Sequence, residues 1–408
     1  MDEKLCLVCH SQVPDTTGQT YSSVVCASCS ESFEKQSPTP FYVYDEKTID
    51  ASIHRFLSVP YPNKAIHFAT MANDNPILLT MLKAAGLGVF INSPKHLAAS
   101  MEAGFTTENV IFASTGIPLE TMRLLVERGI QVSLDSLGQV ALYGSLAPHG
   151  QVGVRINIDE KSKNSIFIGA ESRIGMTLSE LPELFSLAAK YKLRLVGTHV
   201  YLGTDITLDD MLAGIEKTLE ISNQFPDLEF VDVGGGFPVD PARFDFEIYR
   251  HRVTAMFEAY SAHRGRSIKM VIEPGRALFG NSGYFYATVT DIKERADRYI
   301  VCCDASATLI PRAMFYEDYN PVKPANLESC DFFDKPVDIV GATTYSRDFL
   351  SKDLHFPRIN VGDRIVFERA GSYCYSMIIR FLGQALPPEY LRTVNGGVEL
   401  IRSGERFF

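Results

Sequence analysis

The chain has 408 residues, of which 46% are hydrophobic and 22% charged, a composition typical of a soluble globular protein with more than one domain. A formal net charge of −10 and the lack of a basic stretch argue against a nucleic-acid partner. No apolar run approaches the ~18 residues that cross a bilayer, and the N-terminus lacks the pattern of a signal peptide, so we expect a cytoplasmic protein without a membrane partner.

Residues 1–36 are expected to form a zinc-ribbon-like module. Cys6 and Cys9 form one CxxC pair, and Cys26 and Cys29 form a second, a spacing typical of Zn²⁺ bound by four thiolates. So short a segment cannot bury enough core to fold alone, and a metal ion would stabilise it. Free thiols or two disulfides are the alternatives, of which disulfides are disfavoured without a signal peptide. Four thiolates leave no open position, so the zinc is expected to be structural.

Residues 37–285 contain a series of apolar strand patterns, each followed by a helical pattern. The strand patterns in chain order are AIHFA, LGVFIN, NVIFAS, IQVSLD, VGVRINI, RLVGTHVY, LEFVDVGGG and IKMVIEPG. This alternation is typical of a (β/α)8 barrel, and a doubly wound sheet is the alternative. An earlier strand near residues 40–45 is expected to join the C-terminal β domain.

Residues 286–408 have a different sequence pattern, in which apolar strand-like runs alternate with turn residues and few segments have the helical period. Examples are DRYIVCCDAS, PVDIVGATTY, DRIVFERAG and GGVELIRSG. These patterns predict a second, all-β domain.

Three loops carry candidate binding residues, because the loops after barrel strands usually hold the functional site. VDVGGGFP places Gly234, Gly235 and Gly236 after a strand, where backbone N–H groups can approach a phosphate closely. IEPGRALFG places Glu273, Gly275 and Arg276 after the next strand, and ERAGSYCYS offers a further turn. Each motif alone is more often a plain turn, but their order together favours a phosphate site.

The order of the motifs resembles the fold-type III pyridoxal-phosphate decarboxylases, which act on ornithine, arginine, diaminopimelate and related amino acids. The motifs are FATxAN, RINxDEKS with SRIGM, GTHVYLGT, GGGFP, EPGR, CDASATLIPRAMFY, GATTYSRD and GSY. The resemblance runs from about Thr39 to Phe408 and leaves only the cysteine ribbon outside. It implies a barrel plus a β domain, pyridoxal 5′-phosphate as cofactor, an amino-acid-like substrate, and a homodimer with shared active sites.

The resemblance also implies roles for individual residues. Glu273 matches the carboxylate that pairs with the pyridine nitrogen and makes the ring an electron sink. Arg312 and Tyr316 match an arginine of the substrate domain and a tyrosine near the cofactor. The positions that match the family's phosphate contacts are Thr204, Gly234, Gly235, Gly236, Gly275, Arg276 and Tyr373.

Five positions depart from the family's pattern. Met71 stands where the family has the lysine that forms a Schiff base, and a thioether cannot form an imine. Phe90 stands where the family usually has an acid beside that lysine. Tyr201 replaces a histidine that stacks on the ring, although an aromatic side chain could still stack. Thr344 replaces a cysteine thought to deliver a proton, and Tyr345 replaces an acid that often grips a second amine.

Met71 is interpreted as natural divergence or as an engineered inactivation. Phe90 favours divergence, because a buried carboxylate without the lysine would lose its charge partner, and a laboratory change at one position would not alter the others.

Three functions follow: a decarboxylase-family enzyme with altered chemistry, a non-catalytic protein that binds pyridoxal phosphate or another phosphate compound, and an interaction protein whose ribbon docks a protein partner. The retained phosphate loops argue against the third function alone.

Overall fold

The computed structural model describes residues 4–5, 12–13, 24–26, 29–158, 168–169, 172–325 and 331–407. The chain divides into two compact units, one of residues 1–51 with 279–408 and the other of residues 52–278. Among the described residues, no helix combines the length and the apolar character that crossing a membrane requires.

The N-terminal part of the chain contributes short strands and two helices. They are β1 (Lys4–Leu5), β2 (Gln12–Val13), β3 (Val24–Val25), α1 (Ser30–Gln36), β4 (Phe41–Asp45) and α2 (Glu46–Leu57).

The unit of residues 52–278 is built from alternating strands and helices. They are β5 (Lys64–Ala69), α3 (Pro76–Ala84), β6 (Gly88–Ile91), α4 (Pro94–Glu102), β7 (Val110–Phe112), α5 (Leu119–Glu127), β8 (Gln131–Leu134), α6 (Leu137–Leu146), β9 (Gln151–Arg155), α7 (Leu181–Tyr191), β10 (Arg194–His199), α8 (Leu208–Ser222), β11 (Phe230–Asp232), α9 (Phe246–Arg264) and β12 (Lys269–Ile272). The short helix α10 (Arg276–Phe279) follows, and the unit ends within it at Leu278.

The eight strands β5 to β12 form a closed barrel in which all neighbours are parallel, and β12 pairs with β5 to close it. The predicted (β/α)8 barrel is therefore confirmed, and the doubly wound sheet is wrong. Side chains of the strands fill the interior; Phe230 packs so closely on β10 that a Cβ on Gly197 would lie 2.0 Å from its ring. Closure of the barrel places the carboxyl ends of all eight strands around one rim.

The second unit is dominated by strands of the C-terminal part. They are β13 (Gly283–Glu294), β14 (Tyr299–Cys303), β15 (Val322–Pro324), β16 (Val337–Val340), β17 (Phe349–Leu354), β18 (Arg364–Phe367), β19 (Glu389–Arg392) and β20 (Val398–Arg402), with one helix, α11 (Arg312–Tyr316). Their sheet has the order β17-β16-β14-β13-β4-β19-β20-β3, and β18 pairs with β13 and β15. The predicted second domain built of strands is confirmed, although it is mostly β and not all-β because it contains α11, and β3 and β4 belong to its sheet.

Helix α1 attaches the N-terminal segment firmly to this sheet. Glu34 accepts a hydrogen bond from the hydroxyl of Tyr286 at 2.7 Å and forms an ion pair with Arg392. Phe33 is buried and lies edge-on to Tyr390, with ring centroids 4.7 Å apart. Burial of the ring and pairing of the charge fix this helix on the sheet.

Candidate functional site

The predicted site residues of the barrel unit come together at one part of the rim. Five neighbouring strands, in the order β10, β11, β12, β5 and β6, end there. These strands and the loops that follow them carry Met71, Phe90, Tyr201, Thr204, Gly234, Gly235, Gly236, Glu273, Gly275 and Arg276. The structure thus brings together residues that are separated by up to about 200 positions in the chain.

The three glycines after β11 form a cradle in which no side chain would fit. Gly234 and Gly236 have φ angles of 70° and 96°, a region that favours glycine. A Cβ on Gly234 would lie 2.3 Å from the carbonyl oxygen of Val200, and a Cβ on Gly235 would lie 2.4 Å from that of Glu273. The loops after β10, β11 and β12 therefore touch through their backbones, and a phosphate could approach the N–H groups closely.

Two polar pairs border the glycine cradle. The guanidinium of Arg276 lies 2.7 Å from the carboxylate of Asp205 (Nη1 to Oδ2). The hydroxyl groups of Tyr201 and Thr204 are 2.9 Å apart and hydrogen-bonded. Gly275, between Glu273 and Arg276, is buried.

A cluster of three buried polar side chains lies beside this cradle. His199 and Asp232 are the last residues of β10 and β11 and are paired in register, and Glu273 follows β12. Their exposed fractions are 0%, 0% and 5%. Nε2 of His199 lies 3.6 Å from Oε2 of Glu273, and Gly234 donates its N–H to Oδ1 of Asp232 at 2.9 Å.

Burial raises the pKa of both carboxyl groups of this cluster. Burial raises the pKa of Asp232 to about 6, although the N–H of Gly234 and the bond to Glu273 act in the opposite direction. Burial and the charge of Asp232 raise the pKa of Glu273 well above its usual value. Burial and the nearby charge of Arg155 lower the pKa of His199 well below its usual value, so its imidazole is neutral.

The cluster has hydrogen-bonding capacity that is not used. Within the described part of the chain, both nitrogens of His199, Oδ2 of Asp232 and Oε1 of Glu273 are buried without a hydrogen-bond partner. The donor atoms of the three residues lie within 4.8 Å of one another, so they could hold a metal ion. A carboxyl pair with one net negative charge also suits a protonated ring nitrogen, and the adjoining glycine cradle favours that ligand.

Arg155 links the cluster to a further acid on the rim. It is the last residue of β9, paired in register with His199, and its Nη1 lies 3.6 Å from Oδ1 of Asp135. Its guanidinium carbon is 5.8 Å from the ring centroid of Tyr201. Burial raises the pKa of Asp135, which the charge of Arg155 partly offsets. Arg155 therefore supplies the positive charge that faces both the cluster and Tyr201.

Met71 and Phe90 form an apolar region next to the polar cluster. Phe90 is only 5% exposed, and the half-buried Met71 packs against the cluster of apolar side chains to which Phe90 belongs. The ring of Phe90 meets that of His199 nearly edge-on, with centroids 5.5 Å apart and an interplanar angle of 74°. Position 71, at which the resemblance implies a lysine, thus lies in an apolar region beside the polar cluster.

The remaining predicted site residues belong to the β unit. Thr344 is exposed and Tyr345 half-buried, in a loop whose Thr343 and Asp348 are hydrogen-bonded to each other. Arg312 is 8% exposed, forms an ion pair with Asp318 and lies 5.6 Å from the ring centroid of the exposed Tyr316. Tyr373 is half-buried and has a left-handed φ of 53°.

The cysteine ribbon is only partly described. The N–H of Cys29 donates to the carbonyl of Cys26 at 2.9 Å, and both cysteines pack against the core of the β unit. Cys6 and Cys9 lie outside the described residues, so the four-thiolate zinc site stays a prediction. We expect one zinc ion per chain by metal analysis and none in a Cys26→Ser, Cys29→Ser variant. Equal metal contents would contradict the site.

Sequence reasoning missed five residues of the rim, which are Asp135, Arg155, His199, Asp205 and Asp232. The signal was available, because four of them are polar residues at the ends of apolar strand patterns, where barrel sites are found. Their mutual contacts were not available from the sequence.

Comparisons with known proteins agree with this geometry. The family model described as "Pyridoxal-dependent decarboxylase, pyridoxal binding domain" matches residues 46–280. The diaminopimelate decarboxylase of Methanothermobacter thermautotrophicus is 26% identical over 387 residues, which cover 90% of each chain. The L-glutamyl-[BtrI acyl-carrier protein] decarboxylase of Niallia circulans is 28% identical over 397 residues, 90% of this chain and 92% of that protein.

The fold also matches solved structures. The crystal structure of diaminopimelate decarboxylase from Helicobacter pylori complexed with L-lysine superposes with a TM-score of 0.84, covering 92% of this chain and 96% of that one. Its sequence identity of 23% supports the fold and not the substrate.

Proposed function

Since this chain belongs to the family of pyridoxal-dependent decarboxylases, we propose that its barrel binds pyridoxal phosphate without a covalent bond and uses it on an amino-acid-derived amine. One observation carries the proposal. Buried oxygens of Asp232 and Glu273 have no hydrogen-bond partner among the described residues, directly beside a cradle that only glycine can build. Unsatisfied buried carboxyl groups destabilise a fold, so their presence supports a ligand that pairs with them.

The residues at the rim fit this cofactor in two places. The N–H groups of the loop Gly234 to Gly236, with Gly275, Arg276 and Thr204, would hold the phosphate. Glu273 would hold the ring nitrogen, and Tyr201 is the aromatic side chain that could stack on the ring. When bound, pyridoxal phosphate supplies an electron-withdrawing ring that stabilises negative charge next to the amine of a substrate.

The side chains of this protein have separate tasks in that reaction. Burial and the charge of Asp232 raise the pKa of Glu273, which favours a protonated carboxyl group beside the ring nitrogen, whereas the pKa of His199 is lowered and its imidazole is neutral. Arg155 limits the negative charge of the cluster. Met71 and Phe90 exclude water from the corner in which the family has its lysine. Without that lysine, the chain has no amine there to anchor the cofactor, so the cofactor should exchange.

A non-catalytic binding protein is the second candidate function. The apolar corner of Met71 and Phe90 favours it, because neither side chain can transfer a proton. The altered enzyme remains our proposal because the polar side chains that would activate the ring, Asp232 and Glu273, are both present beside the cradle. Tyr345 stands where an acid would grip a second amine, which favours a substrate with a neutral, aromatic or acidic side chain over lysine-like substrates.

The proposal can be tested on the purified wild-type chain. We expect pyridoxal phosphate to bind saturably, to be removed by dialysis, and to leave no covalent adduct in the intact mass after borohydride reduction. Release of carbon dioxide from a panel of amino acids then separates the enzyme from the binding protein. A stable phosphopyridoxyl group on a lysine of the wild-type chain would overturn non-covalent binding, and a lack of saturable binding would overturn the proposal as a whole.

We also propose a homodimer, because the resemblance implies shared active sites to which Thr344, Tyr345 and Tyr373 contribute from the β unit. Light scattering should show twice the mass of 45.4 kDa. A monomer at micromolar concentration would contradict the dimer.

A further inference from the structure

Asp205 places a carboxylate among the loops that would hold a phosphate. Its Oδ2 pairs with Arg276, and 28% of its side chain and 18% of that of Arg276 are exposed. Its other oxygen, Oδ1, is buried and has no hydrogen-bond partner among the residues that the structure describes. The carboxylate therefore faces the guanidinium with its Oδ2 and has its Oδ1 buried, although part of the side chain is in contact with solvent.

The backbone around Asp205 holds this side chain against the glycine cradle. Asp205 has a left-handed φ of 51°, which aspartate tolerates better than most residues. Ile206 donates its N–H to the carbonyl of Gly236 at 3.0 Å, and a Cβ on Gly236 would lie 2.6 Å from the carbonyl oxygen of Gly203. The segment 203–206 is thus one wall of the cradle, and Asp205 belongs to that wall.

A carboxylate in this position competes with a phosphate for the same guanidinium. Arginine binds phosphate through charge-assisted, often bidentate, hydrogen bonds. A partly exposed ion pair such as Asp205–Arg276 is weak, so a phosphate can displace the carboxylate from Arg276. The displaced carboxylate stays nearby because its backbone is held, and two negative charges a few ångströms apart repel strongly in a half-buried site.

We infer that Asp205 sets the selectivity of the cradle: it pairs with Arg276 while no anion is bound, and it weakens the binding of a doubly charged phosphate ester. The inference rests on the proposed function, which assigns the cradle to a phosphate. Repulsion by Asp205 would be a second reason, besides the missing lysine, why the bound cofactor exchanges with the solution. Asp205 is a selectivity residue in this account and takes no part in the chemistry.

The test compares two ligands that differ only in the phosphate. Dissociation constants for pyridoxal phosphate and for pyridoxal are measured by calorimetry on the wild type and on Asp205→Asn, since asparagine also tolerates a left-handed φ. Asp227→Asn is the matched control, because Asp227 is exposed and precedes β11, at the opposite end of the barrel strands. It changes the net charge equally.

We expect Asp205→Asn to bind pyridoxal phosphate roughly tenfold more tightly than the wild type, with unchanged affinity for pyridoxal and no effect of Asp227→Asn. Equal or weaker binding of pyridoxal phosphate by Asp205→Asn would overturn the inference, since the carboxylate would then only orient Arg276. If no variant binds either pyridine ligand, the proposed function fails, and inorganic phosphate becomes the probe. Tighter phosphate binding by Asp205→Asn would still support the inference, and unchanged binding would overturn it.

Discussion

Replacing Met71 with lysine should allow borohydride to fix about one pyridoxal phosphate per chain, against none in the wild type, without restoring ordinary decarboxylation. The new amine would lie in the apolar corner beside Phe90, which is 5% exposed. Burial there lowers the pKa of a lysine and leaves it neutral and nucleophilic. The variant therefore gains the covalent anchor that the wild type lacks.

The same variant should still turn over slowly. Thr344 is too weak an acid to replace a thiol as proton donor, and a positioned acid or base typically contributes about 10²- to 10⁴-fold to a rate. We expect carbon dioxide release to stay at least roughly 100-fold below that of a relative with the complete machinery. Adding Thr344→Cys and Phe90→Asp to Met71→Lys should raise it.

Intact mass after borohydride reduction, with peptide mapping, locates the adduct. Met101→Lys is a suitable control, because Met101 is also half-buried in the barrel unit but lies on α4. An adduct in the control, or none in Met71→Lys, would show that position 71 does not face the bound aldehyde. Full decarboxylation by Met71→Lys alone would show that the other departures do not matter.

Replacing Glu273 with glutamine should weaken the binding of pyridoxal phosphate by about 10- to 100-fold and flatten the dependence of stability on pH. The loss of affinity follows because a neutral amide replaces a charge-assisted bond to the ring nitrogen, which is worth roughly 1.5–3 kcal/mol. The change in the pH dependence of stability has a separate cause, namely that the folded chain keeps protons on the carboxyl groups of Asp232 and Glu273 at a higher pH than the unfolded chain does.

The sign of the pH effect follows from the raised pKa values of the two carboxyl groups. The pKa of Asp232 is raised to about 6 and that of Glu273 well above its usual value, so the folded chain binds protons that the unfolded chain has released. The contribution of this carboxyl pair to the free energy of unfolding therefore falls as the pH rises from about 4 through 6 and beyond, by on the order of 1.4 kcal/mol per pH unit for each extra proton bound, whereas the lowered pKa of His199 contributes with the opposite sign. Glu273→Gln removes one of these protons and should reduce the slope.

Urea unfolding of the ligand-free protein between pH 5 and pH 8 measures both slopes. The control is Glu216→Gln, which removes an exposed carboxylate on α8 and should leave the wild-type slope unchanged. Parallel curves for the wild type and Glu273→Gln would contradict the raised pKa of Glu273. Unchanged affinity for pyridoxal phosphate in Glu273→Gln would contradict the pairing with the ring nitrogen.

Most of the architecture could be predicted from the sequence. Eight apolar runs with helical patterns between them are typical of parallel strands and crossover helices, because these neighbours are local in the chain. The pairing of β12 with β5, which excludes the doubly wound sheet, was seen only in the structure. The loop at Gly234 to Gly236 and the loss of lysine at Met71 were also readable from the sequence, since each depends on the chemistry of one short segment.

The polar chemistry of the rim was decided only by the tertiary structure. His199, Asp232 and Glu273 lie 33 and 41 positions apart along the chain, and the register of three parallel strands brings them within 4.8 Å of one another. The raised and lowered pKa values follow from their burial, which no local pattern encodes. The ion pair of Asp205 and Arg276 was also not predictable from the sequence. Its two residues lie on different loops, which only the closed barrel brings into contact.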